Sequence, residues 1–453
     1  VLKWSRVRLV LSILTCEGLF ATLRERIQYA SPLRGARAVG SSGGIQTLSV
    51  PKHYDYAGAL HVHSTYSDGT GTVAEIALAA NRAGLDFILM CDHHNLDAHT
   101  NGQDGWRGRT LVLVGTELST DIGHLLAIGV PSDFLPTPGK AVAAQKSIQE
   151  HGGTGFVALP CDLKDHWRDF GRRLPGIGLE VFNLSAIART KINLPALALV
   201  WSRYKSPRPQ RAFHFVAARP SRELRLWDTL MTPAAPDHLL QPVVGIASVD
   251  AHAVMKFGGK AYPFPTYEEV FRTLRTHVVT RTPLSYGEVP AGKRVAANLA
   301  DTALVERALA DGHCYMSYDN YGDPTGFVFE AGIWGRDGSL DIAAGMGDSI
   351  TLPTSDDGKP LTLRVQAPRT RTLVRLYHNG KLVAAARGGR LDHTVTEPGA
   401  YRAEVFLYRR RLGNLCLGAK PWIFSNPIYL QPAPIAVSHP SAQGAISTPG
   451  SLA

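Results

Sequence analysis

Leu60-His61-Val62-His63-Ser64-Thr65-Tyr66-Ser67-Asp68-Gly69 closes the first strand-like run of the chain, and its reading governs the rest. In extended backbone, residues two apart point to one side, so His61 and His63 are expected to aim both imidazoles at one point. Asp68 follows within a short polar turn able to bring its carboxylate to the same place. A His-x-His pair alone is a weak sign, since two histidines on the solvent face of a strand look the same. Its weight comes from what recurs downstream.

Asp92-His93-His94 follows the apolar run Leu85 to Cys91, which reads as a buried strand. Glu117 comes after Thr110-Leu111-Val112-Leu113-Val114-Gly115, and His124 opens Leu125-Leu126-Ala127-Ile128-Gly129-Val130. Asp250-Ala251-His252 follows Val243-Val244-Gly245-Ile246-Ala247-Ser248. Strand after strand thus carries acids or histidines at one end, where parallel barrels place their chemistry. A metal centre is the expectation. Imidazoles and carboxylates without thiolates suit Zn, Mn or Fe, and cations held close together acidify a shared water and clamp an attacked phosphoryl oxygen. His94, beside an expected ligand, is the candidate acid or base. His151, His214, His238, His277 and His313 have no such motif around them and read as surface or core residues.

His61-x-His63 with Asp68, Asp92-His93, Glu117, Gly123-His124 and Asp250-x-His252 together resemble the polymerase and histidinol phosphatase (PHP) superfamily of metal-dependent hydrolases, near its carbaryl hydrolase-like branch. The resemblance covers about residues 55 to 285, including a helix-like Thr72–Ala83 and the strand after it. It implies an α/β fold, a distorted (β/α)7 PHP barrel with two or three divalent metal ions. Carried over residue by residue, His61, His63, Glu117 and Asp250 would hold one ion, with Glu117 bridging to a second that His124 also holds. Asp68, His93 and His252 would hold a third. One position departs: members commonly have Ala-His-Pro after the His124 strand, and this chain reads Ala158-Leu159-Pro160. Leu159 cannot ligate a metal; Asp162, Cys161 and His166 are the nearby groups that could replace it.

The implied activity is hydrolysis, first of a phosphoester by metal-bound hydroxide, with Glu117, Asp250 and His94 as the catalytic residues. A carboxylic or carbamic ester on the same centre is the alternative. A degenerate barrel serving as a binding module, and an envelope or polysaccharide role for the C-terminal part, are readings of another class. Lys164, Arg168, Arg172 and Arg173 after the fifth strand, and Arg107 and Arg109 before the third, are either substrate-facing or ordinary solvated charges.

At 453 residues the chain accommodates a barrel of about 250 residues and a smaller domain. Its 44% hydrophobic and 19% charged content is that of a globular protein. The net charge of +10 suits anionic small molecules but is spread along the chain, without the interleaved aromatics that stack bases, so nucleic acid is not an expected partner. The five cysteines, Cys16, Cys91, Cys161, Cys314 and Cys416, are scattered, which argues against a disulfide framework; Cys91 and Cys161 are expected to be buried thiols. Residues 1–50 read as an N-terminal segment and linker. Lys3, Arg6 and Arg8 precede a short apolar core, either signal-like or part of an amphipathic helix from Val7 to Ile27, then a Gly/Ser/Arg-rich stretch from Ala30 to Ser49. A membrane contact through this segment, a cytoplasmic or envelope location and the oligomeric state stay open.

Residues 51–325 are expected to form the barrel, closing with helix-like segments at Thr266–His277 and Asp301–Asp311. From about Gly326 the pattern alternates at period two in Leu361–Val365, Leu373–Tyr377 and Tyr401–Leu407, with a hairpin turn at His378-Asn379-Gly380-Lys381. Residues 326–431 are therefore expected to form an immunoglobulin-like β-sandwich, and 432–453 a disordered tail.

Overall fold

The computed structural model describes residues 53–432, apart from 171–173, 192–212, 215, 233–238, 258, 287–292, 353–358 and 413–414. The expectations for the N-terminal segment, the tail beyond 432, Cys16, Arg172, Arg173 and His238 fall outside the described residues. Among those described, no helix is long and apolar enough to cross a membrane.

The first half alternates strands with helices. Its strands are β1 (Tyr54–Val62), β2 (Phe87–His93), β3 (Gly105–Arg107), β4 (Thr110–Thr120), β5 (Gly123–Ile128), β6 (Thr154–Ala158), β7 (Gly178–Asn183), β8 (Gly245–Ser248), β9 (Met255–Phe257), β10 (Lys260–Tyr262), β11 (Arg275–Thr280) and β12 (Cys314–Ser317). One large mixed sheet runs in the order β12-β11-β1-β2-β4-β5-β6-β7-β8. β1, β2 and β4 are parallel, β5 is antiparallel to both neighbours, and β6, β7 and β8 are parallel again. β5 runs against its neighbours because the tight Asp121-Ile122 turn leaves room only for a hairpin back from β4.

Two-sided burial explains the continuous apolar runs. In β2, Phe87, Leu89 and Cys91 face one apolar cluster, while Ile88 and Met90 face another beneath the helices. The first cluster also takes Leu60, Leu113, Leu126, Phe156 and Ile246, so strands from both ends of the run contribute to it. The ends are also joined by backbone. Val249 N–H donates to Leu60 O, Ala251 N–H to His61 O and His63 N–H to Ala251 O, at 3.0–3.1 Å.

The helix Val73–Ala83 begins with a capping box, Thr72 with Glu75, and ends at the left-handed Gly84. The segment expected to be helical from Thr266 to His277 divides instead: Tyr267–Phe271 is helix behind the Thr266 cap, and His277 lies in β11. β-branched Thr276, Val278, Val279 and Thr280 favour the strand there. The expected helix at Asp301–Asp311 is part of a longer one, Arg294–Ala310.

After β12 come β13 (Val328–Trp334), β14 (Leu340–Gly345), β15 (Ser349–Thr351), β16 (Leu361–Gln366), β17 (Thr372–His378), β18 (Lys381–Arg387), β19 (Arg390–Thr394), β20 (Gly399–Leu407), β21 (Arg410–Leu412), β22 (Leu415–Leu417), β23 (Lys420–Ser425) and β24 (Ile428–Gln431). Asn379 and Gly380, both at positive φ, make the β17–β18 turn where the sequence placed it. A four-stranded sheet, β14-β13-β16-β19, shares an apolar cluster with β17, β20, β23 and β24. Those last strands belong to the large sheet, because β23 pairs with β12.

A buried network ties β1 to this junction. His277 Nδ1 lies 2.8 Å from Asp55 Oδ1 and Nε2 lies 3.2 Å from Asp319 Oδ2, while Tyr315 Oη donates to Asp55 at 2.6 Å. Burial opposes a charge on His277, but Asp319 and Asp55 outweigh it and raise the ring to about 10. A group raised from its ordinary 6.5 contributes stability that is complete below 6.5 and lost as pH climbs through 10. Stability measured by denaturation between pH 6.5 and 10 should therefore fall with pH, and His277→Gln should remove that part of the slope. An unchanged slope would assign it to other groups.

Candidate metal centre

His61 and His63 meet as expected, but not by simple alternation. His61 has φ +63°, and the β1–β2 register shifts between Ala59 and Val62. A left-handed bulge, rather than plain extended strand, brings the two rings to 5.0 Å, both fully buried. His94 (+55°), Leu159 (+51°) and Asp250 (+49°) are also left-handed. Such backbone costs on the order of 1–3 kcal/mol per residue and gathers where function holds it in place.

Glu117 is the hub. It lies within β4, opposite His93 in register, rather than past the strand end. Its Oε2 is 3.1 Å from His61 Nε2, 3.5 Å from His63 Nε2 and 3.2 Å from His93 Nδ1, and its Oε1 is 3.4 Å from His124 Nδ1. Asp250 Oδ1 lies 3.6 Å from His63 Nε2 and 3.9 Å from His61 Nε2. On the outer side, Asp68 Oδ1 is 3.1 Å from His252 Nε2, 3.5 Å from His93 Nε2 and 3.7 Å from His63 Nδ1. The eight residues expected at the centre therefore converge. Their nitrogen and oxygen atoms form two groups compact enough for a cation: His61, His63 and Glu117, and His63, Asp68, His93 and His252.

The electrostatics suit cations. Burial pushes the Glu117 carboxyl up, but His61, His63 and His93 outweigh it and hold the acid well below the usual carboxylate range. Burial, then His61 and His252, hold His63 far below an ordinary histidine, so its ring is neutral and has a free lone pair. His63 Nε2 and His124 Nδ1 are buried without a hydrogen-bond partner. Such nitrogens are costly to bury unless something binds them, and a divalent cation fits the donor set. His94 stands slightly apart, its Nε2 3.1 Å from Ser119 Oγ and its Nδ1 also unpartnered.

Several residues support the ligands, and of these Glu180, Tyr267 and Arg189 escaped the sequence reading. Glu180, fully buried in β7, takes an inward place that neighbouring strands fill with apolar side chains; its carboxylate meets His61 Nδ1 at 2.7 Å and accepts from Leu159 N–H at 2.9 Å. It thus fixes which His61 nitrogen faces the centre. The signal was an acid inside the apolar run Gly178-Leu179-Glu180-Val181-Phe182. Asp92 accepts from Ser64 N–H, Ser64 Oγ and Ser67 Oγ at 2.6–2.7 Å, shaping the loop that carries Asp68. Gly69 closes that loop, and any Cβ there would sit 2.1 Å from His63 O. Tyr267 Oη donates to the same His63 O at 2.8 Å. Arg189 pairs with Asp162 at 3.1 Å and comes within 4.0 Å of Asp250 Oδ2, with its guanidinium still partly exposed.

No family model matches the chain, and no curated protein does. Solved structures do. A two-domain protein from Bacteroides vulgatus containing a predicted PHP-like metal-dependent phosphoesterase aligns with 86% of this chain and 100% of its own, at 13% identity and a TM-score of 0.35. A protein named as a metal-dependent phosphoesterase from Bifidobacterium adolescentis aligns over 45% of this chain and 88% of its own, at 14% identity and a TM-score of 0.24. An amidohydrolase from Chromobacterium violaceum, solved with sulfate and no metal, aligns over 46% and 92%, at 15% identity and a TM-score of 0.23. Likenesses this distant carry no argument. The geometry does.

Leu159, where the resemblance calls for histidine, is buried in the apolar cluster and follows Ala158, the register partner of His124. None of the three residues considered as substitutes joins the two cation-sized groups. Asp162 is bound by Arg189, His166 is exposed, and Cys161 is only partly buried rather than enclosed as expected. Arg107 and Arg109, exposed at the start of β4, sit at the end away from Glu117. Leu159→His should raise metal affinity on the His124 side of Glu117, because it adds an imidazole ligand at a positive φ that histidine tolerates better than leucine. If its ring stays unpaired, stability should drop by about 1–3 kcal/mol. Metal titration and thermal unfolding of both proteins would show this; unchanged affinity would mean that position 159 faces only the core.

Proposed function

We propose that this chain is a metal-dependent hydrolase of the PHP type that acts on phosphoesters. The observation that carries the reading is Glu117, one buried carboxylate within 3.5 Å of ring nitrogens from His61, His63, His93 and His124. The hydrogen bonds from Val249 and Ala251 to the end of β1, with the shared interior cluster, support reading the curled sheet as a distorted barrel. The shared cluster of the two C-terminal sheets supports an immunoglobulin-like sandwich.

His61, His63, Glu117 and Asp250 would hold one cation, Glu117 and His124 a second, and Asp68, His93 and His252 a third. When bound, divalent cations would supply Lewis acidity and an acidified water near neutral pH. The protein's own part is positional. Glu180 orients His61, Asp92 holds the Asp68 loop, and Tyr267 pins the carbonyl of His63. Arg189, whose Nε and Nη2 are held by Asp162, brings a partly exposed positive charge to within 4.0 Å of Asp250, and that charge suits an anionic phosphoryl group more than a neutral ester. This favours a phosphoester over a carboxylic or carbamic ester. Convergence of all eight residues counts against a degenerate binding module.

The test is elemental analysis of the purified protein with a panel of phosphomonoesters, phosphodiesters and aryl esters. Phosphoester hydrolysis lost to chelation and restored by Mn, Zn or Fe is expected, and hydrolysis of aryl esters alone would transfer the reading to the carboxylic ester class. Arg189→Met should raise KM for phosphoesters roughly tenfold, the scale of one charge-assisted hydrogen bond, and leave aryl ester turnover unchanged.

A further inference from the structure

Where the start of β1, the end of β11, the helix Arg294–Ala310 and the sheet β13–β14 meet, there is a cavity of about 1030 Å³. It is separate from the metal centre: His53 and Tyr54 line it, and His61 lies at the other end of β1, roughly 20 Å along the strand. Tyr54, Val279, Leu304, Phe327, Ala344 and Met346 give it apolar walls. Glu330 of β13 also lines it and is only 4% exposed. Its Oε1 is wholly buried without a hydrogen-bond partner.

The other acids of the cavity are satisfied within the protein: Asp55 by His277 and Tyr315, Asp311 by Arg307, Asp348 by His313. Glu330 is not. The nearest base in the cavity is His53, with Nδ1 3.9 Å from Oε1. Burial, then Arg281 and His313, hold His53 below an ordinary histidine, which disfavours a charge on the ring. Arg364 is the register partner of Glu330 across β13–β16 and its charge acts on the acid, but its Nε donates to Asp392 at 3.1 Å, its guanidinium lies over the Trp334 ring and its Nη2 is buried without a hydrogen-bond partner. Among the described residues it forms no ion pair with Glu330. Glu330 thus keeps one buried oxygen without a hydrogen-bond donor, facing a cavity with largely apolar walls, where a bound ammonium would supply the donor.

We infer that this cavity binds a small organic cation, a primary ammonium on an apolar body, with the ammonium on Glu330 and the body against the apolar walls. The inference is independent of the reaction at the metal centre. It is tested on the full chain after chelation, by calorimetric titration with 2-phenylethylamine and its neutral counterpart 2-phenylethanol. Saturable binding of the amine, at least tenfold tighter than the alcohol, is expected in the wild type. Glu330→Gln should abolish that preference. No saturable amine binding, equal affinity for amine and alcohol, or a preference unchanged in Glu330→Gln would each overturn the proposal. Should the variant fail to fold, the amine–alcohol comparison on the wild type decides alone. Loss of stability in Glu330→Gln with no amine binding by the wild type would assign Glu330 to Arg364.

Discussion

Glu117→Gln is expected to lower the proposed phosphoester hydrolysis by on the order of 10³-fold while leaving the fold intact. The substitution keeps the side-chain volume and removes the charge that four histidine nitrogens surround. A carboxylate shared between two cations sets their separation and offsets their repulsion, and a neutral amide does neither well. The variant should also bind less metal, because the group formed with His61 and His63 loses its carboxylate. Steady-state kinetics at saturating metal and elemental analysis separate the two effects. Activity within a factor of about ten of wild type, a loss of one ordinary hydrogen bond's size, would make Glu117 a structural acid.

Replacing His61 and His63 together by Ala should remove most of the bound metal. Both rings are fully buried, and His63 belongs to both cation-sized groups, so its loss opens each of them. The double variant leaves Glu180 without its His61 partner, and some loss of stability in the first half is expected. The C-terminal sheets keep their own apolar cluster and should retain their β-sheet circular dichroism. Full metal content in the double variant would overturn the assignment of the centre.

The sequence was most legible where chemistry and periodicity coincide. Apolar runs marked β2, β4 and β8, and the polar residues flanking or within them converge in space. The Asn379-Gly380 turn was equally clear, because few dipeptides adopt two positive φ angles in succession. The bulge at His61 was not legible: nothing in His-Val-His distinguishes a left-handed residue from an extended one. Glu180 was missed because a lone acid in an apolar run has no partner in sequence; His61 lies far away along the chain. Arg189 was hidden for the same reason, its meaning set by Asp162 and Asp250 rather than by its neighbours. The strand at His277 is hard to see in the sequence because a helix does begin at Thr266, and only the β-branched Thr276, Val278, Val279 and Thr280 mark the change to strand.

The pairing of β12 with β23 constrains how this protein could be divided or recombined. A gene cut at residue 325 would encode the candidate metal centre together with a raw sheet edge, since the main-chain groups of β12 that β23 satisfies would open to solvent or to another chain. The same cut would strand Asp228, whose carboxylate is held by Arg402 at 2.7 and 2.8 Å, and Arg219, which pairs with Glu404. Those residues sit in the connection between β7 and β8, next to the segment that delivers Asp250. The two halves are thus one unit of inheritance: a fusion or shuffling event that kept the chemistry would have to carry the C-terminal strands with it.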